Sequence, residues 1–84
     1  MVDESDALQQ LPEERLAALA RSAVDELARR GSTSGFRALT ELSAYVGVRL
    51  GEAARAVAEQ TSWTHVGELS GTTKQAAWSR WHWS

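Results

Sequence analysis

Two helical stripes of apolar residues, set apart by glycines, limit the folds open to this chain. From Pro12 to Arg30, residues Leu16, Leu19, Ala20, Ala23, Val24 and Leu27 recur at three- and four-residue intervals. That spacing puts them on one face of a helix. Between residues 36 and 60, Phe36, Leu39, Leu42, Val46, Leu50, Ala53, Ala54 and Val57 form a second stripe with near-heptad spacing. Pro12 suits the first turn of its helix, where a missing N–H costs nothing. Glu13 and Glu14 complement the positive end of the dipole, and Arg29 and Arg30 the negative end. Gly31 supplies the stop. The chain therefore reads as all-α.

The stretch GSTSG, Gly31 to Gly35, is a short connector in which Thr33 or Ser34 can cap the next helix. Two long helices joined by five residues predict an antiparallel hairpin over residues 12–60. Gly47 and Gly51 lie inside the second helix, and each costs about 1 kcal/mol relative to alanine. Either a neighbouring backbone approaches along the line Ser43, Gly47, Gly51 and Ala54 or Arg55, or the helix kinks near Gly47. Residues 1–11 are acidic and polar and are expected to be flexible.

With 84 residues the chain has room for one domain. A domain of this size buries only about 60% of its unfolded surface. Cysteine is absent, so no disulfide supplements the core. Two apolar stripes can cover each other with little to spare, so the terminal helices or a second chain must complete the burial. The N-terminal segment is acidic where a secretory signal is basic. No apolar run approaches the ~20 residues that span a bilayer. A soluble, cytoplasmic protein is expected.

Residues 61–84 read TSWTHVGELSGTTKQAAWSRWHWS. Thr61 or Ser62 can cap a short helix from Trp63 to Leu69. Ser70–Gly71–Thr72 is a turn, and Thr72 with Gln75 has the spacing of a capping box. A final helix runs from Thr73 to His82. The segment resembles the bacterial helix-turn-helix family, in particular small actinobacterial proteins ending in a motif like SWxxIGxxLGxSRQAAxxRF. The matching residues are Ser62, Trp63, Val66, Gly67, Gly71, Lys74, Gln75, Ala76, Ala77, Arg80 and Trp81. Ser70 replaces the usual leucine before the turn glycine and Thr72 the usual valine after it; Leu69 can compensate by a small rotation of its helix.

The resemblance implies a C-terminal helix-turn-helix over residues 61–84 that binds double-stranded DNA and regulates transcription. The second helix of such a motif enters the major groove. Projected onto this sequence, its DNA-facing residues are Thr73, Lys74, Gln75, Trp78, Ser79, Arg80 and His82, with Thr64 and His65 beside them. Gly67 and Ala77 are small where the two helices cross, and Val66 and Trp81 fill the wedge between them. Lys74 can meet guanine or phosphate, and Gln75 adenine, although capping competes for Gln75. Asparagine, the other adenine reader, is absent.

Charge and aromatic content point a second way. The net charge is −2, whereas nucleic-acid binders usually carry a basic excess. Residues 1–60 hold ten acidic and seven basic side chains, a balance of −3, while residues 61–84 carry +1. Tryptophan is a favoured anchor at protein interfaces, so Trp78 and Trp83 could serve a protein partner, with the chain a helical adaptor. Trp78 either turns inward onto the second long helix or is exposed. A homodimer through residues 12–30 and 36–60 would double the few DNA contacts; helix self-packing at Gly47 and Gly51 is a third, structural role. His65 and Glu68 share a helix face, but two ligands do not make a metal site. No P-loop, dinucleotide fingerprint or nucleophile elbow is present, so neither an enzyme nor a cofactor is expected.

Overall fold

The computed structural model describes residues 4–83. It comprises five helices: α1 (Glu4–Gln9), α2 (Glu13–Arg30), α3 (Thr33–Gln60), α4 (Trp63–Ser70) and α5 (Lys74–Trp81). No strand occurs among the described residues, and no helix among them is long and apolar enough to cross a membrane. Two compact units divide the chain, Met1–Glu41 and Leu42–Ser84. The boundary falls within α3.

In the first unit, part of the acidic segment expected to be flexible forms α1; residues 1–3 lie outside the described residues. Glu4 and Asp6 occupy the first turn of α1, where carboxylates meet the positive end of the dipole. Pro12 is the N-cap of α2, one position before its expected place, and its carbonyl accepts from Arg15 and Leu16 at 3.0 and 3.1 Å. Gly31 ends α2 with φ of 57°, a conformation glycine adopts without steric cost.

The connector is shorter than GSTSG suggests, because α3 already begins at Thr33. The cap is Ser32 rather than Thr33 or Ser34: its Oγ accepts from the Gly35 N–H at 3.0 Å. A Cβ on Gly35 would come within 2.8 Å of the Leu27 carbonyl oxygen. The start of α3 thus passes against the backbone of α2, and glycine is what permits it. Beyond this contact the apolar side chains are poorly covered. Leu19, Val24 and Phe36 are exposed, Phe36 at 70%, and α2 has no buried residue.

α3 is one helix through both internal glycines, with no break at Gly47. No backbone approaches there either. Nothing lies within 4 Å of a Cβ built on Gly47, and at Gly51 the near atoms belong to the side chains of Arg55 and Trp81. Gly51 is flanked by the good helix formers Leu50, Glu52 and Ala53, whereas Gly47 lies between Val46 and Val48, which are weaker ones.

The second unit contains the described buried apolar residues Ala54, Val66, Ala77 and Trp81, with Val57, Ala58 and Trp63 packed on them. This small core joins one face of α3 to α4 and α5. Ala77 is fully buried, at 0% exposure. Nothing larger would fit where α5 meets the other two helices.

Candidate nucleic-acid interface

Each local element of the terminal segment is set by a short-range hydrogen bond. The Ser62 hydroxyl caps α4, accepting from the His65 N–H at 3.0 Å. Thr61 turns the other way and donates its hydroxyl to the Val57 carbonyl at 2.8 Å. Gly71 closes α4 with φ of 73°. The Thr72 N–H then reaches the Gly67 carbonyl at 2.8 Å and the Gly71 N–H reaches that of Glu68 at 3.3 Å. These are the paired bonds of a Schellman turn.

The start of α5 departs from the expected capping box. Thr73, not Thr72, is the N-cap, and its hydroxyl accepts from the Ala76 N–H at 3.1 Å. The Schellman bond holds Thr72 at the end of α4 and moves the cap one residue on. Gln75 is exposed and is not needed to close a Thr72 box.

The crossing of α4 and α5 rests on Gly67. A Cβ there would lie 2.7 Å from the Thr73 carbonyl carbon, 2.8 Å from its oxygen and 3.0 Å from the Lys74 nitrogen. All three are backbone atoms, so no side-chain movement could make room. Val66 and Trp81 are buried beside this contact, as the wedge requires.

Leu69 does not replace the missing leucine at position 70. It is 67% exposed, and Ser70 returns its hydroxyl to the Val66 carbonyl at 2.8 Å. The result is an open apolar cleft of about 270 Å³ lined in part by Leu50, Val57, Val66, Leu69 and Trp81.

Thr73, Lys74, Gln75, Ser79 and Arg80 are exposed; Gln75 and Ser79 lie on the side of α5 away from buried Ala77 and Trp81, whereas Lys74 flanks the packed side. The Arg80 guanidinium lies over the Trp81 ring, 5.1 Å from its centroid, a cation–π arrangement that fixes its direction. Trp78 is 45% exposed. It stacks on His82 with ring centroids 3.7 Å apart and planes 4° from parallel, and it also lines a cleft of about 390 Å³ with Ala58, Glu59 and Trp63. Trp83 tilts against His82 at 4.0 Å and donates its indole N–H to the Ser79 carbonyl at 2.9 Å. His82 is half-buried, and its Nδ1 contacts the Trp78 carbonyl oxygen. The C-terminal half of the face is therefore an aromatic stack, and the N-terminal half is polar.

Arg55 is a structural member of the site that sequence spacing did not single out. From α3 its guanidinium donates to the Trp81 carbonyl at 3.0 Å and also to that of Trp83. A cation at the C-terminal end of α5 satisfies carbonyls left without helical partners and opposes the negative end of the dipole. On α4, His65 Nδ1 lies 3.7 Å from a Glu68 carboxylate oxygen. No cluster of three or more potential metal ligands occurs among the described residues.

No protein-family model, curated protein or solved structure matches the chain.

Proposed function

We propose that the chain is a small cytoplasmic transcriptional regulator that binds double-stranded DNA as a homodimer. In this reading α2 folds antiparallel to α3 as the scaffold and dimer region. The α4–α5 pair acts as a helix-turn-helix and lays α5 in the major groove. The observation that carries the reading is the exposure of the polar residues Thr73, Lys74, Gln75 and Ser79 along α5, beside the close backbone crossing of α4 and α5 at Gly67.

Lys74 meets guanine or phosphate, and Gln75, not required as a cap, reads adenine through its amide. Thr73 can still donate its hydroxyl proton to a phosphate while its oxygen caps α5. Ser79 and Arg80 contact the backbone, and the Trp78–His82 stack meets thymine methyls at the groove edge. Two or three phosphates per subunit give a salt slope of about −2 to −3, and a dimer about twice that.

The test is anisotropy titration of labelled GC-rich genomic duplexes at low salt. The Lys74→Ala, Arg80→Ala double variant should weaken binding at least about tenfold and flatten the salt slope. Unchanged binding would remove the DNA reading.

A second reading rests on the aromatic stack. Trp78, His82 and Trp83 form a continuous apolar surface suited to a protein partner, which would make the chain an adaptor. Capture of partners from native lysate, analysed for both protein and nucleic acid, separates the two. A protein complex that survives Trp78→Ala counts against the adaptor.

A further inference from the structure

We infer that the cleft where α3, α4 and the end of α5 converge takes the arginine side chain of a basic polypeptide partner. The cleft, of about 390 Å³, is lined by Arg55, Ala58, Glu59, Trp63, Trp78 and His82. All six belong to the second unit. It therefore combines two indoles and an imidazole with one full charge of each sign.

The state of those charges selects the sign of the occupant. Glu59 stands in the last turn of α3, where aligned carbonyls form the negative end of the helix dipole. No basic residue stands in that turn. Thr61 answers the Val57 carbonyl with its N–H at 2.9 Å and its hydroxyl at 2.8 Å, but it brings no charge. The Glu59 carboxylate is exposed and makes no ion pair or hydrogen bond among the described residues. A cation in the cleft meets both the carboxylate and the helix end. Arg55, one turn earlier, does not fill that role. Its guanidinium is committed to the Trp81 and Trp83 carbonyls, where it answers the end of α5. The end of α5 thus has its cation within the chain, and the end of α3 has none.

The rings select which cation. Indole attracts cations, guanidinium more often than ammonium. A guanidinium is planar, stacks on aromatic rings and matches a carboxylate with two parallel N–H bonds. Trp63 is half-buried and Trp78 is 45% exposed, so both keep surface for such a contact. An ammonium would answer Glu59 as a strongly hydrated point charge and gain less from the rings. The aromatic surface also continues past the cleft, from His82 to Trp83, which is 68% exposed. A free guanidinium compound leaves that surface bare, whereas the neighbours of an arginine in a polypeptide cover it. The inference rests on the adaptor reading, for which it names the partner's chemistry, and requires no DNA.

The test is titration of the isotope-labelled protein with acetyl-Gly-Leu-Arg-Gly-amide, followed at the indole N–H resonances. Those of Trp63 and Trp78 should shift, while buried Trp81 stays in place. With citrulline, an uncharged isostere, in place of arginine, affinity should fall about tenfold. With lysine it should fall about threefold. Glu59→Gln, a surface change, should weaken the arginine peptide about three- to fivefold with helical circular dichroism unchanged. Free arginine amide should bind at least about threefold more weakly than the peptide. A citrulline peptide that binds as tightly as the arginine peptide would make the cleft a groove for uncharged side chains and overturn the inference, leaving the adaptor reading in place. Unchanged arginine affinity in Glu59→Gln would overturn it in the same way. Free arginine amide binding as tightly as the peptide would overturn the polypeptide source. No shift at Trp63 and Trp78 with about 10 mM arginine peptide would also overturn the inference. The adaptor reading is judged separately, by whether Trp78→Ala abolishes capture of a protein from native lysate.

Discussion

The first unit and the α4–α5 region are built from the same kinds of residue and are finished to different degrees. Residues 4–41 contribute none of the described buried apolar side chains, whereas the second unit contributes Ala54, Val66, Ala77 and Trp81. Both have a left-handed glycine and a serine or threonine cap. The difference lies in what is brought against the helices. Around α5, a glycine at a crossing, an alanine of zero exposure and an indole interlock, and Arg55 closes the helix end. Around α2, one backbone contact at Gly35 is followed by leucine, valine and phenylalanine facing solvent. Capping makes a helix, but a core requires a second surface of matching shape.

That contrast can be broken or sharpened by substitution. Trp81→Ala should have the largest effect, removing about 3–5 kcal/mol from the unfolding free energy of the second unit. Thermal melts followed by circular dichroism would measure it. If Trp81→Ala costs no more than an exposed leucine such as Leu19→Ala, the distinction between the regions fails.

Gly67→Ala comes next, at about 2–3 kcal/mol, because the new methyl meets backbone atoms of Thr73 and Lys74. Gly51→Ala makes the same chemical change with the opposite sign. The nearest atoms to its Cβ position are Arg55 and Trp81 side-chain atoms at 3.5 and 3.7 Å, ordinary contact distances. The gain in helix propensity should therefore stabilise the protein by about 1 kcal/mol. A Gly51→Ala variant that melts lower would mean that α3 needs the glycine for a contact not described above.

Glu26→Gln in α2 should matter least. It removes pairs with Arg29 and Arg30 whose side chains are largely solvated, and its cost should stay under about 0.5 kcal/mol. A larger loss in denaturant titration would show that the first unit depends on surface charge more than this comparison allows.

Much of the secondary structure was legible because its signals are local. The ends of α2, the stop at Gly31 and the turn at Gly71 each follow from one or two side chains acting on adjacent backbone, whereas the α4 cap was left open between Thr61 and Ser62. The misread positions were those where two local signals competed. Thr72 and Thr73 both offer a capping hydroxyl, and only the Schellman bond from Thr72 to Gly67 decides between them. Ser32, Thr33 and Ser34 pose the same choice, and the approach of Gly35 to Leu27 goes with the Ser32 cap. The proposed DNA face followed from the helix-turn-helix resemblance, projected onto α5. Arg55 did not, because its partners are 26 and 28 residues away and periodicity carries no signal over that distance.

The sequence by itself determined that this chain is helical, where α2 starts and stops, and that residues 67, 71 and 77 must be small or conformationally free. Those properties depend on backbone torsions and on side chains within one or two turns. Only the tertiary structure decided that Gly67 faces a backbone while Gly47 faces open space, and that Trp78 stacks on His82 while Trp81 is buried. Each of these depends on which atoms from distant parts of the chain occupy the same few ångströms, and burial energy is a property of that shared space, not of the residue.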